Sequence, residues 1–211
     1  MPFADRVRKS TGGFRQRRMA RFLELLKPVF DEPILDVGGT PDVWEEAGYT
    51  GPIVFLNIDP PEHLPALPPG CAYVQGDGRE LPFQSGEFPI VFSNSVIEHV
   101  GSWEDQQRFA AEIQRVGQRY WVQTPNRNFP IEPHLNFPGF QWLPDRLAKA
   151  VVTTWPLSYH RRDGLSPDQA WRAVQNTRLL NTAEMKRLFP DATIWREQVL
   201  TLTKSIVAFR S

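Results

Sequence analysis

Cysteine is nearly missing from this sequence: Cys71 stands alone. A single thiol excludes a disulfide framework, a redox pair and any metal cluster built from thiolates. Net charge of one sign is missing as well, because 24 basic residues balance 24 acidic ones. No whole-molecule field therefore draws the chain towards nucleic acid, which is not expected as a partner. No apolar run reaches the roughly 18 residues that span a bilayer, and Met1 to Ser10 carries nothing like the apolar core of a secretory signal. A cytoplasmic protein is the expectation. Histidine is scarce too, at 4 residues, so imidazole chemistry is confined to His63, His99, His134 and His160. Neither an internal repeat nor a low-complexity tract interrupts the chain.

What is present fits one domain over residues 1–211. Apolar residues make up 41% and charged residues 23% of the chain, an ordinary balance for a globular domain with a real core. The charge is unevenly spread. Arg6, Arg8, Lys9, Arg15, Arg17, Arg18, Arg21 and Lys27 crowd residues 1–30, opposed there by Asp5 and Glu24. Among them Phe14, Met19, Phe22, Leu23, Leu25, Leu26 and Val29 recur at helical spacing. The segment reads as an amphipathic helix whose basic face is solvated, with contact to an anionic surface or a membrane periphery left open.

Short apolar runs bounded by turn residues follow: Pro33–Gly38, Ile53–Ile58, Cys71–Gln75, Phe88–Ser93 and Arg119–Gln123. Each reads as a buried strand. Helical stretches separate them, one opening around Pro41-Asp42 and one spanning Trp103–Val116. Strand–helix alternation implies parallel βαβ units with ligands at the carboxyl ends of the strands. From Pro125 to about Leu180 the pattern breaks into a Pro- and aromatic-rich stretch, read as an inserted cap with short helices. A helix capped by Asn181 or Thr182 comes next, then β-runs Thr193–Val199 and Leu202–Phe209 form an antiparallel hairpin that closes the sheet.

A strand, a glycine turn, a helix and an acid after the next strand form the usual layout for a nucleoside ligand. Here these residues are Asp36, Gly38, Gly39 and Asp59. A dinucleotide site would need further glycines, and Thr40 and Val43 occupy those positions. A nicotinamide-dependent oxidoreductase is disfavoured accordingly.

In order and spacing these motifs resemble the class I S-adenosylmethionine-dependent methyltransferases, specifically the group with the type 11 methyltransferase domain. Ile34-Leu-Asp-Val-Gly-Gly39 is similar to the family's first motif, and Asn57-Ile-Asp59 to its ribose-binding strand end. Gly76-Asp-Gly-Arg-Glu-Leu-Pro-Phe83 resembles the adenine-contacting motif, which implies Asp77 at the amino group, with Gly78 beside it and Leu81 or Phe83 near the ring. Phe92–Val100 resembles the segment beneath the methionine part of the cofactor, where Ser93 and Asn94 lie. The resemblance implies an α/β, Rossmann-like fold with a mostly parallel seven-stranded sheet, and S-adenosylmethionine as cofactor. One departure is visible: Thr40 and Asp42 replace later glycines of the family's turn, which points to a reshaped turn.

For the chemistry, His134, Glu132 and His99 are the candidate catalytic residues, with His134 expected over the transferred methyl group as general base. Glu98-His99 followed by His134 also resembles the metal-holding layout of ubiquinone-pathway and small-RNA O-methyltransferases, although Ser95 replaces its first acid. That resemblance makes Glu98, His99, Glu132 and His134 the set that would hold a divalent metal, and no metal is the favoured reading. The other reading has Glu98-His99 capping a helix and His134 lining a pocket. Phe129, Ile131, Phe137, Phe140, Trp142, Leu143, Val151, Val152 and Trp155 supply a lid over a hydrophobic or aromatic acceptor, a membrane-facing edge or plain core. Arg161-Arg162 reads as a solvated pair, with an anionic acceptor group as the alternative. The expected function is O-methylation of a small-molecule or lipid- or glycan-linked acceptor; the rival is a catalytically degenerate member that binds a nucleoside or a partner.

Overall fold

The computed structural model describes residues 3–59, 67–132, 134–158 and 164–211, with side chains from residue 13 onward. His63, His160, Arg161 and Arg162 lie outside the described residues. Strands β1 (Ile34–Val37), β2 (Ile53–Asn57), β3 (Ala72–Gln75), β4 (Phe88–Asn94) and β5 (Gly117–Pro125) are parallel. The hairpin of β8 (Thr193–Val199) and β9 (Leu202–Arg210) joins through β9, which runs antiparallel to β5. The seven-stranded order is β3-β2-β1-β4-β5-β9-β8. Chain order reverses between β1 and β4, so the carboxyl ends of those strands leave a crevice between diverging connections.

Alternation along each strand sends neighbouring side chains to opposite faces. Leu35, Val37, Val91, Tyr120 and Val122 pack on one face against Phe109, Ile113 and Val116 of α3 (Trp103–Val116). Ile34, Phe55, Phe92 and Trp121 pack on the other against Met19, Phe22 and Leu26 of α1 (Phe3–Leu26) and Trp44 of α2 (Pro41–Glu46). Phe22 is fully buried among the rings of Trp44, Phe92 and Trp121. Burying a side chain of that size contributes about 1.5–3 kcal/mol, so helix docking rests on these rings more than on helix propensity. Helix α3 begins with a capping box between Ser102 and Asp105.

Residues 126–180 form the cap. Asn126 bridges Leu180, which brings the two ends of the segment together beside β5. Within it lie the short pair β6 (Ile131–Glu132) and β7 (Phe137–Pro138), α4 (Asp145–Thr154) and α5 (Pro167–Gln175). Leu135, Phe140, Ala148, Val152 and Ala170 make a small core of its own. Much of the aromatic stretch is therefore core, with Ile131 at 41% and Trp142 at 66% exposure outside it. Helix α6 (Thr182–Leu188) follows, with Asn181 as its N-cap in a capping box with Glu184. Among the described residues no helix is long and apolar enough to cross a membrane.

Candidate functional site

Strand alternation points Asp36 at the α2 face, where the carboxyl is buried and Trp44 Nε1 donates to its Oδ2 at 2.7 Å. Its Oδ1 has no hydrogen-bond partner. Burial pushes Asp36 up to about 7, opposed by the Trp44 bond and reinforced by Asp42. The chain then turns tightly over this carboxyl. Gly38 has φ +82°, and a Cβ there would meet Val96 Cγ2 at 2.5 Å. A Cβ on Gly39 would lie 1.8 Å from Asp36 Oδ2. Both positions exclude any side chain, for different reasons. Asn57 Nδ2 holds the turn by donating to Gly39 O at 3.0 Å.

The turn tolerates Thr40 and Asp42. Thr40 is the N-cap of α2 at φ −137°, an extended conformation that needs no glycine, and its hydroxyl donates to Asp42. The departure from the glycine pattern leaves the left-handed requirement at Gly38 untouched.

Above the turn opens a cavity of about 680 Å³. The glycine turn, Asn94 and Ser95 after β4, and Gln123 and Pro125 at the end of β5 line its base. Phe14 and Arg15 of α1, Phe129 and Ile131 of the cap, and Val199 and Lys204 of the hairpin form the opposite walls. Ser93 is fully buried below, donating through Oγ to Val37 O at 3.0 Å, so it ties β4 to β1.

Arg18 departs from the solvated face expected of the basic segment. It is 7% exposed and reaches across the strand ends. It donates to Asn94 Oδ1 and Gln123 Oε1 at 2.7 Å each, and to Glu197 Oε2 at 2.9 Å. The α1 face carrying Arg18 is thus part of the cavity floor. Arg18, Gln123, Glu197 and Lys204 were not singled out as site residues by motif reasoning, since none belongs to a short contiguous pattern.

The remaining cofactor candidates are spread along the same edge. Asp59 is exposed beyond the end of β2. Asp77 is held by Arg79, whose Nε donates to both carboxylate oxygens at 3.0 Å, and this keeps Asp77 below its ordinary range. Gly78 is buried, and a Cβ there would strike the Phe109 ring at 2.6 Å, so its reason is packing of α3. Leu81 is 4% exposed and belongs to the core under α3. Phe83 packs edge-on to Phe88.

The two described histidines, His99 and His134, converge beside the large cavity rather than over it. His134 and Glu132 line a smaller cavity of about 220 Å³ with Arg127, Gln141 and Thr177. His134 Nδ1 lies 2.7 Å from Glu132 Oε1, and Glu132 Oε2 accepts from Leu135 N at 2.6 Å. A carboxylate can only accept there, which puts the ring proton on Nδ1. The rings of His99 and His134 are 4.9 Å apart. Glu98 is fully buried in the turn after β4; Thr124 donates to its Oε2 at 3.0 Å and its Oε1 has no hydrogen-bond partner. Ligand atoms of Glu98, His99 and His134 all lie within 4.8 Å of one another. Burial pushes Glu98 up to about 7, opposed by its own backbone, His134 and Thr124. Ser95 takes no part, since its hydroxyl donates to Gln123 Oε1 at 2.9 Å.

Known proteins share this fold. Residues 56–119 match the model of the methyltransferase domain family. Over 53 residues, 25% of this chain, the sequence is 38% identical to an uncharacterised protein of Mycobacterium tuberculosis H37Rv, a match that spans 18% of that protein's length. Magnesium protoporphyrin IX methyltransferase from Synechocystis PCC 6803, solved with S-adenosylhomocysteine, superimposes with a TM-score of 0.58 at 11% identity, over 100% of this chain and 89% of that one. A SAM-dependent methyltransferase from Methanosarcina mazei gives 0.51 at 14% identity, over 87% of this chain and 94% of that one. Strand order and superposition agree that the chain has the fold of the class I S-adenosylmethionine-dependent methyltransferases, and residues 56–119 match the methyltransferase domain family.

Proposed function

We propose that this protein transfers a methyl group from S-adenosylmethionine to an oxygen of a small-molecule acceptor. The observation that carries the reading is the glycine turn wrapped on a buried carboxyl at the floor of a 680 Å³ cavity. The group fits the residues present: Gly38 and Gly39 line the cavity, each fixed as glycine by Val96 or Asp36 behind it, and Asp36 Oδ1 is a buried acceptor without a partner. In this reading the turn and Asn94 hold the methionine portion, Asp59 the ribose hydroxyls, and Asp77 with Gly78 the adenine edge. The bound cofactor supplies a methyl group on a positively charged sulfur, already activated for displacement. The chain's own work is to align the acceptor, exclude water and accept a proton.

His134 is assigned that proton, with Glu132 orienting the ring through the 2.7 Å contact. A second reading is favoured by the convergence of Glu98, His99 and His134 and by the partnerless Glu98 oxygen. There the three hold a divalent cation, and Glu132 acts behind His134 rather than as a ligand. Two imidazoles and one carboxylate suit Zn²⁺ or Mn²⁺.

Calorimetry tests the cofactor reading. S-adenosylhomocysteine is expected to bind with one site per chain, NADH is not, and Asp59→Ala should weaken binding about 10- to 100-fold, the scale of hydrogen bonds to a charged group. Absence of S-adenosylhomocysteine binding sinks the reading; binding without methyl release from S-adenosylmethionine to any acceptor leaves the degenerate binder as the answer.

A further inference from the structure

Part of the large cavity is lined by three segments remote in sequence. Phe14 comes from α1, Phe129 and Ile131 from the cap, and Val199 and Lys204 from the hairpin. Apolar side chains make its walls. Lys204 is different. It is half-buried, its Nζ sits 3.6 Å from the centre of the Phe14 ring, and among the described residues it forms no ion pair. The nearby carboxylate is Glu197, whose Oε2 accepts from Arg18 at 2.9 Å and from Ser205 at 2.8 Å and whose Oε1 is buried without a hydrogen-bond partner; it attracts Lys204 at a distance but is not in ion-pair contact with it. The other cations of the cavity are engaged too: Arg15 lies 3.7 Å from both Asp42 and Glu46. A half-desolvated ammonium with no anion in ion-pair contact among the described residues, held over an aromatic face, is an arrangement that a bound anion would complete.

We propose that Lys204 is a specificity residue that selects acceptors carrying an anionic oxygen group on an apolar or aromatic body. Resting on the methyl-transfer reading, this names the acceptor class as small organic acids. The apolar body lies against Phe14, Phe129 and Ile131, and the ammonium meets the anionic group. Burial and the neighbouring Arg18 and Arg17 push the Lys204 ammonium below its ordinary range, opposed by Glu197. A ligand anion reverses that pressure by pairing with the charged form.

The test uses the full chain saturated with S-adenosylhomocysteine and two aromatic probes of similar shape: anilinonaphthalene sulfonate, which is anionic, and phenylnaphthylamine, which is neutral. The sulfonate is expected to bind with one site per chain and at least about ten-fold more tightly than the neutral probe, the scale of a charge-assisted contact. Lys204→Met should remove that preference, Lys204→Arg should keep most of it, and Phe14→Ala should weaken both probes. Equal affinity of the two probes for the unaltered protein, no sulfonate binding, or an unchanged preference in Lys204→Met overturns the proposal. So does a loss of S-adenosylhomocysteine affinity in Lys204→Met as large as the loss of sulfonate affinity, which would assign the lysine to the cofactor. If S-adenosylhomocysteine does not bind the unaltered protein at all, the methyl-transfer reading fails separately, and sulfonate selectivity measured without it still judges Lys204.

Discussion

Asp36 places a carboxyl under a tight turn with one oxygen on Trp44 and the other unpartnered. Its affinity for a proton rises from 3.8 to about 7, and that of Glu98 from 4.5 to about 7, chiefly through burial. Both groups have folded values above their unfolded ones. Their contribution to stability is therefore fully present below about pH 4 and is lost as pH rises through 7. Within that window each group lowers stability by about 1.4 kcal/mol per pH unit, because the unfolded chain has released a proton that the folded chain keeps. Thermal unfolding of the ligand-free protein should show Asp36→Asn gaining stability relative to the unaltered chain between pH 5 and pH 8. A difference that stays constant over that range would mean the carboxyl is not raised. Asp36, Gly38 and Gly39 were legible as a turn from their place after a strand. Trp44 as the partner was not, because nothing in a contiguous motif says which helical side chain folds back onto the acid.

Helix α1 was readable as amphipathic, yet its polar content was misleading. Phe14, Arg18, Phe22 and Leu26 follow at intervals of four, which places Arg18 on the inward stripe. That spacing was visible; the surrounding arginines made a solvated face the natural reading. What the sequence alone does not show is the partner, since Glu197 is 179 residues away on the hairpin. With Arg18 at 7% and Glu197 at 5% exposure, the pair is buried and its arginine also serves Asn94 and Gln123. Arg18→Ala strands the Glu197 carboxylate and should destabilise the protein by about 3–5 kcal/mol. Replacing both charges, as in Arg18→Met with Glu197→Met, should recover much of that loss, because the cost lies in the unpaired charge more than in the missing attraction. Urea unfolding of the single and double variants decides it: equal losses in both would place the effect in packing instead.

At the scale of the whole molecule, the sheet and its closing hairpin follow from strand periodicity and turn residues. The path of the cap does not. The expectation for His134 is a place over the transferred methyl group, reached by a short loop after β5; β6 and β7 pair, and Glu132 at the end of β6 and His134 before β7 line the smaller cavity beside Glu98 and His99. One segment after β4 and one in the cap thus meet at a single cluster, and two roles make opposite demands on it. A cation held there joins cap to sheet, so it should stabilise the folded chain, by about 2.7 kcal/mol at a hundred times its dissociation constant. Protein stripped with chelator should then unfold at a lower temperature, recover with Zn²⁺ or Mn²⁺, and fail to recover in His99→Ala or Glu98→Gln. A base role makes a different demand. Turnover should survive the chelator, while His134→Ala loses about 10²- to 10⁴-fold in rate with S-adenosylhomocysteine affinity unchanged. Full turnover in His134→Ala removes the histidine from the chemistry under either role, and an unfolding temperature indifferent to both chelator and cation removes the metal.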